Sequence, residues 1–188
     1  MAITRLGGAN AISGTIPQSN IANASLGAVT ALPAAISTGK VLQVVETRKT
    51  DTASTSSSTM AAISGLSASI TPSSSSNKIL VIYIASCSSN NHTHTAISRD
   101  SGSSFIGAGV AVGSRPAVST FHYADSNTCR PVTCTILDTP STTSAITYQV
   151  YWRANASTGY INRTYTDADA GYGARGASSI TLMEIAGW

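Results

Sequence analysis

From residue 40 onward, apolar and polar positions alternate in short segments, which is the pattern of β-strands. Ile146, Tyr148, Val150 and Trp152 alternate with more polar neighbours, as expected of a strand with one buried and one solvated side. The predicted strands are 41–48, 59–70, 78–87, 93–99, 105–112, 117–124, 131–138, 145–154, 158–165 and 179–186. Stretches rich in Pro, Gly and Ser separate them, so the pattern predicts an all-β fold, an antiparallel β-sandwich or jelly roll.

The connections between strands add detail to this prediction. Residues 78–85 are apolar on both faces, which predicts a central strand. Two blocks, 71–76 and 139–144, begin Thr-Pro-Ser and precede a strand, which predicts one hairpin connection used twice. The Ser-rich residues 51–59 and the Gly-rich residues 167–176 are predicted loops, and 107–113 is a predicted glycine-kinked strand.

The first 39 residues differ from the rest of the chain. Residues 6–39 contain no ionisable side chain, Pro17 and Pro33 interrupt any helix, and the apolar spacing matches no regular element. The pattern predicts an extended N-terminal anchoring arm over 1–39 and a β domain over 40–188, with a floppy tail as the alternative for the first segment. The side chains predicted to anchor the arm on a larger particle are Ile3, Arg5, Leu6, Ile12, Ile16, Ile21, Leu26, Val29, Leu32 and Ile36.

Composition narrows the function classes. Charged residues make up 10% of the chain, hydrophobic residues 42%, and the net charge is +3, so wholesale disorder is not expected. The arginines are scattered, which argues against nucleic-acid binding. No 18-residue apolar run occurs, and the N-terminus lacks the apolar segment of a signal peptide, so neither a membrane span nor a signal peptide is expected. Three cysteines, with Cys134 as a predicted buried thiol, fit a reducing compartment.

The sequence offers no catalytic constellation. It has no Gly-x-Ser-x-Gly motif and only two glutamates, so we expect no enzyme and no cofactor. Glu184 is expected at a rim or an interface. Residues 167–171 resemble a calcium loop only faintly, because the third ligand position and the distal glutamate are missing.

His92 and His94 form the one pair with chemical interest. On an extended backbone, residues two apart face the same way. Two imidazoles are too few for a metal in a monomer, but on a three-fold axis the pair becomes six nitrogens, a set suited to a transition metal. The alternative is a polar loop tip with no ligand.

Several blocks of the chain resemble a known family. They are residues 1–12, 39–45, 65–81, 137–148 and 182–187, and they resemble small trimeric virion structural proteins of tailed bacteriophages, cyanophages among them. The resemblance implies a homotrimer on the virion surface, assembled in the host cytoplasm. It further implies an N-terminal arm that docks on the major capsid protein or another virion protein.

The resemblance leaves the position on the virion open. Capsid decoration, as a cement or head-fibre protein, is the first hypothesis, because the chain has no long shaft. A short tail fibre or tail-associated receptor-binding protein is the second, and a carbohydrate-binding β-sandwich module is the third. In the last two cases Tyr151, Tyr160 and Tyr165 are the candidate contacts to a sugar such as a host surface glycan.

Overall fold

The β domain is built from strands alone. The computed structural model describes residues 41–123, 125 and 127–187, and within these ranges the chain forms ten β-strands and no helix, hence no helix able to span a membrane. The strands are β1 (Val41–Lys49), β2 (Ala53–Thr55), β3 (Ala61–Ile70), β4 (Lys78–Ser89), β5 (His92–Ser98), β6 (Thr120–Tyr123), β7 (Arg130–Asp138), β8 (Ile146–Ala154), β9 (Gly159–Ile161) and β10 (Ser178–Ile185). The predicted arm, with all its anchoring candidates, lies outside the described residues.

The strands form two antiparallel sheets. In sheet A, β4 is central: β7 lies along one of its edges, and β10 and then β9 lie along the other. β1 pairs with β10, and β2 pairs with β9. Sheet B has the order β3-β8-β5-β6. The prediction that residues 78–85 form a central strand is therefore confirmed.

Alternation places one side of every long strand in a common core. Val81 and Tyr83 of sheet A and Tyr148 and Trp152 of sheet B belong to one cluster of buried residues. Two hydrogen bonds join the sheets inside it: the Tyr83 hydroxyl pairs with the Thr95 hydroxyl at 3.0 Å, and the Tyr148 hydroxyl donates to Asp138 Oδ2 at 2.7 Å. These buried polar groups are thus satisfied across the core.

The predicted strand 105–112, including its glycine-kinked part, is wrong. This segment forms only isolated bridges, Ile106 with Ile97 and Val112 with Arg115. Gly107 has a φ of 62°, and a Cβ there would lie 2.5 Å from Ile136 Cδ1. The backbone therefore turns in the left-handed region and packs directly on β7, which only glycine permits.

Two further predictions need correction. Residues 51–59 are not all loop, because Ala53–Thr55 is strand β2. The two Thr-Pro-Ser blocks are not hairpin turns: the first connects β3 of sheet B to β4 of sheet A, and the second connects β7 of sheet A to β8 of sheet B. The same turn chemistry is used twice to pass between sheets.

The predicted strand 158–165 is cut short at Ile161 by Asn162, which has a φ of 62°. The Asn162 side chain is buried and donates to the carbonyls of Lys49 and Asp51, both at 2.9 Å, while it accepts from the Ser178 hydroxyl at 2.7 Å. Asparagine tolerates this backbone better than most residues. Asn162 thus ends β9 and ties it to its neighbours.

Candidate functional site

The side of sheet A that faces away from the core carries an apolar row. Val44 of β1 is paired with Met183 of β10, Met183 with Leu80 of β4, and Leu80 with Leu137 of β7. Val44 is 57% exposed and Leu137 is 51% exposed. A solvent-facing side of an antiparallel sheet is normally polar. The outer face of sheet A departs from this rule, because an apolar row crosses it from β1 to β7.

Neighbouring rows on this face continue the apolar character at their centre and add charge at one edge. Ile82 and Ile84 follow Leu80 along β4 and face the same way, while Glu46 and Arg48 follow Val44 along β1. Both signs of charge thus stand at the β1 edge. A large apolar patch rimmed by polar groups is typical of a protein–protein contact.

The outer face of sheet B carries the two histidines. The rings of His92 and His94 lie on the same side of β5 with centroids 6.3 Å apart and planes 27° apart. His92 packs against Tyr123, and His94 packs against Phe121. The predicted shared direction of the two imidazoles is what the structure has, and aromatic rings, not a loop tip, surround them.

The described residues provide no group of three or more His, Cys, Asp or Glu that could hold a metal ion. His92 Nδ1 is 2.9 Å from Asn91 Oδ1, and His94 Nδ1 is buried without a partner. Metal binding by His92 and His94 on a three-fold axis stays a prediction.

The environment of His94 disfavours its charged form. Burial, and then the positive charge of Arg153 and the neighbouring His92 and His122, lower the pKa of His94 to about 4. Burial also lowers the pKa of His122. Both rings are therefore neutral at pH 7 in the folded protein.

We expect acid to destabilise the domain through His94. The unfolded chain takes up a proton near the ordinary pKa of 6.5, whereas the folded protein resists it until about pH 4. The free energy of unfolding therefore falls as the pH drops through that window. In urea titrations at pH 7 and pH 4.5, H94Q should lose less stability than the wild type. An NMR titration midpoint for His94 at or above 6.5 would contradict this.

A cleft with a volume of about 730 Å³ lies over the outer face of sheet B. Its floor is Tyr151, Gln149 and Thr147 of β8, and its wall is the segment 99–106 that follows β5. Tyr151 packs on Phe105 with ring centroids 5.6 Å apart. A Cβ at Gly102 would lie 2.8 Å from Tyr151 Cε1. The wall thus rests directly on the tyrosine ring.

The polar groups of this cleft are held in place by internal hydrogen bonds. Asp100 accepts from the Ser98 and Ser104 hydroxyls and from the Ser104 amide, and these bonds lower its pKa to about 2. Gln149 Nε2 donates to the carbonyls of Ile63 and Leu66 at 2.8 and 3.1 Å. Its carbonyl oxygen remains as the group that Gln149 can offer to a ligand.

The other two tyrosines singled out from the sequence lie together, away from Tyr151. Tyr160 is on β9 of sheet A, and its ring centroid is 5.4 Å from that of Tyr165. The Arg163 guanidinium carbon lies 3.7 Å from the Tyr160 ring centroid. One face of Tyr160 is therefore covered by a cation–π contact.

The faint calcium-like loop has a different role. Asp167 Oδ2 is 2.7 Å from Arg163 Nη1 and 2.9 Å from Arg175 Nη2. This carboxylate bridges two guanidinium groups and holds the loop 167–176 against the chain that follows β9.

The prediction that Glu184 lies at a rim is wrong. This residue is only 1% exposed, not at a rim. Asn77 Nδ2 donates to it at 2.5 Å, Gln43 Nε2 at 2.6 Å, and the Ser73 amide and hydroxyl at 2.6 and 2.8 Å. Burial alone would raise its pKa, but these hydrogen bonds hold the pKa below the ordinary value. A buried carboxylate thus ties the β3–β4 connection to β1 and β10.

Cys87, Cys129 and Cys134 are free thiols in the structure. Cys134 packs against the core but is only half-buried, and Cys87 is the fully buried one. Burial raises the pKa of both thiols, so neither is a ready nucleophile.

The fold and these surfaces define an all-β domain of two antiparallel sheets with a shared core. No protein-family model matches the chain, and no curated protein is significantly similar to it.

Proposed function

We propose that this chain is a structural protein of a tailed-phage virion, a homotrimeric capsid decoration protein whose arm, residues 1–39, docks on the major capsid protein or another virion protein. The apolar outer face of sheet A carries the proposal. A domain that exposes Val44 and Leu137 on the same row as Leu80 and Met183 needs a partner surface to keep that row from water. Such a surface is typical of an assembly component.

We further infer that the domain is a β-sandwich of the jelly-roll type. With the short β2 and β9 set aside, eight strands remain, and they pair first with last, second with seventh, third with sixth and fourth with fifth: β1–β10, β3–β8, β4–β7 and β5–β6. This is an antiparallel hairpin of four strand pairs rolled upon itself. Viral capsid proteins and lectins share this architecture.

The partner on the outer face of sheet A is a second copy of the chain. The face carries both signs of charge, since Glu46 and Arg48 stand two residues apart at its β1 edge, so an acidic group of one copy can meet a basic group of the next. Its centre is neutral, so packing against a neighbouring copy buries no unpaired ion. Three copies that turn this face toward a three-fold axis, each in contact with its two neighbours, form a closed ring with no open end for further growth.

The arm supplies the docking chemistry. Its only charged side chain within residues 1–39 is Arg5, and nine apolar candidates follow or precede it. Burial of each contributes roughly 1.5–3 kcal/mol, against an ordering cost of about 1–2 kcal/mol per residue. One arm therefore binds weakly, whereas three arms on one trimer gain by effective concentration.

Deletion of residues 2–38 should leave a folded trimer that no longer attaches to its particle. The test adds purified full-length and truncated protein to particles that lack it, at low and high salt, and measures the bound copies. Attachment of the full-length protein should depend little on salt, because a nearly uncharged arm has little to screen.

A second measurement, the copy number of the protein on native particles, distinguishes a capsid position from a tail position. Hundreds of copies per particle are expected of capsid decoration, whereas fewer than about twenty would support a tail position by the symmetry of the particle. Equal attachment of the truncated protein would place the anchor in the β domain and overturn the role of the arm.

A further inference from the structure

We propose that the cleft over the outer face of sheet B is a binding site for a saccharide chain. This goes beyond the proposed function, because decoration of a capsid needs only the arm and the outer face of sheet A. The two surfaces lie on different sheets, so a molecule bound in the cleft leaves the outer face of sheet A free.

The shape of the cleft fits a chain better than a small compact ligand. It is open on the side away from the sheet, and its volume of about 730 Å³ is within the usual range of ligand sites. Small residues flank the tyrosine on the floor: Ala62 of β3 and Ala96 of β5 are its direct neighbours across the sheet. Because both neighbours are alanines, the ring of Tyr151 stands above the sheet surface around it.

An aromatic ring held in this way suits the apolar side of a sugar ring. Tyr151 is fixed by Phe105 and by the close approach of Gly102, so it loses little conformational freedom on binding. The tyrosine side chain combines an apolar ring with a polar hydroxyl, as is common at binding surfaces.

The polar lining is of the kind that pairs with hydroxyl groups. Arg99 donates toward Asp138, with Nε 3.4 Å from Oδ2, and its side chain, which lines the cleft, is 32% exposed. Asp100 and Gln149 are oriented by the hydrogen bonds described above. Planar side chains with fixed donors and acceptors hydrogen-bond hydroxyl pairs with good geometry.

Charge and apolar content argue against other ligand classes. Arg99 and Asp100 balance one another, so the lining has no excess of cations for a phosphate or a nucleic acid. Ile106 and Ile146 are the two large aliphatic residues of the lining, and the remainder near the ring is Ser, Thr, Gln and Ala, so a peptide with large apolar side chains finds few contacts. A hydroxyl-rich, uncharged chain is the class that remains.

The experiment screens the full-length protein on a printed array of microbial polysaccharides and oligosaccharides, and then measures the strongest component by calorimetry. A62R should weaken binding at least tenfold, because Ala62 lines the cleft and is exposed, so arginine fills the cleft without removing a core contact. S64R is the matched control, because Ser64 is exposed on the same strand and does not line the cleft.

A second pair of variants tests the aromatic contact. Y151A should also lose binding, whereas Y172A, at a tyrosine that is 67% exposed elsewhere, should bind as the wild type does. Absence of binding to every array component, or equal binding by A62R, would overturn the proposal. Particle attachment by A62R should be unchanged, so failure of this site and failure of the decoration function are distinguishable.

Discussion

Lysine at both ends of the apolar row, in V44K/L137K, should convert the proposed trimer into monomers. Each of these half-exposed side chains gains part of the roughly 1.5–3 kcal/mol of full burial in an interface, and lysine adds the desolvation of a charge. We expect the dissociation constant to rise more than about a hundredfold, since about 1.4 kcal/mol corresponds to tenfold. Sedimentation velocity should then give the 19.2 kDa mass of one chain, whereas the wild type, as the proposed trimer, should give three times that mass.

The matched control is V110K. Val110 is 88% exposed on the loop between β5 and β6, so the same substitution there should leave the trimer intact. Circular dichroism of V44K/L137K should match the wild type, because both positions face away from the core. A wild-type protein that sediments as a monomer at micromolar concentration would contradict the assignment of this face.

Glu184→Gln should lower the free energy of unfolding at pH 7 by about 2–4 kcal/mol, a range set by hydrogen bonds to a buried charge. Glutamine presents an NH₂ group to donors from Gln43, Asn77 or Ser73. Gln43 cannot simply turn its amide over, because the same nitrogen donates to the Thr71 carbonyl at 2.7 Å. Urea unfolding of the purified protein measures the loss.

The pH dependence separates this network from simple packing. The pKa of Glu184 is below its ordinary value of 4.5 in the folded protein, so its stabilisation is present above that pH and is lost as the pH falls through the folded-state pKa. The difference between wild type and E184Q should therefore shrink in acid. D169N is the control: Asp169 is an exposed carboxylate on the loop 167–176, and its substitution should change stability by less than about 0.5 kcal/mol. Equal stability of E184Q and the wild type would contradict the role of the carboxylate.

Local pattern is enough to locate the strands that alternate strongly. β8 and β4 can be predicted from their own residues, because β8 alternates apolar and polar side chains and β4 is apolar on both faces. β2 does not follow, because Ala53–Thr55 is a strand only through its pairing with Gly159–Ile161, more than a hundred residues away. The false strand at 105–112 has the same origin, since its conformation depends on Ile136 of β7.

The candidate sites depend on long-range contacts to an even greater degree. Glu184 looks like an edge charge until Gln43, Ser73 and Asn77 are brought to it from distant parts of the chain. The separation of Tyr151 from Tyr160 and Tyr165 is a matter of which sheet each strand joins. The cleft exists because the segment 99–106 lies across β8. The composition of this segment does not predict that position.

The pairing of β1 with β10 has a consequence for synthesis of the protein. Val41 pairs with Ile185 and Lys49 pairs with Ser178, so β1 is synthesised long before the strand that it pairs with. At roughly 5–20 residues per second, a ribosome needs about 7–28 s to supply the missing partner. During that interval β1 is an unpaired edge that bears exposed valine and leucine, so the nascent chain is open to association with others on the same message or to capture by a chaperone.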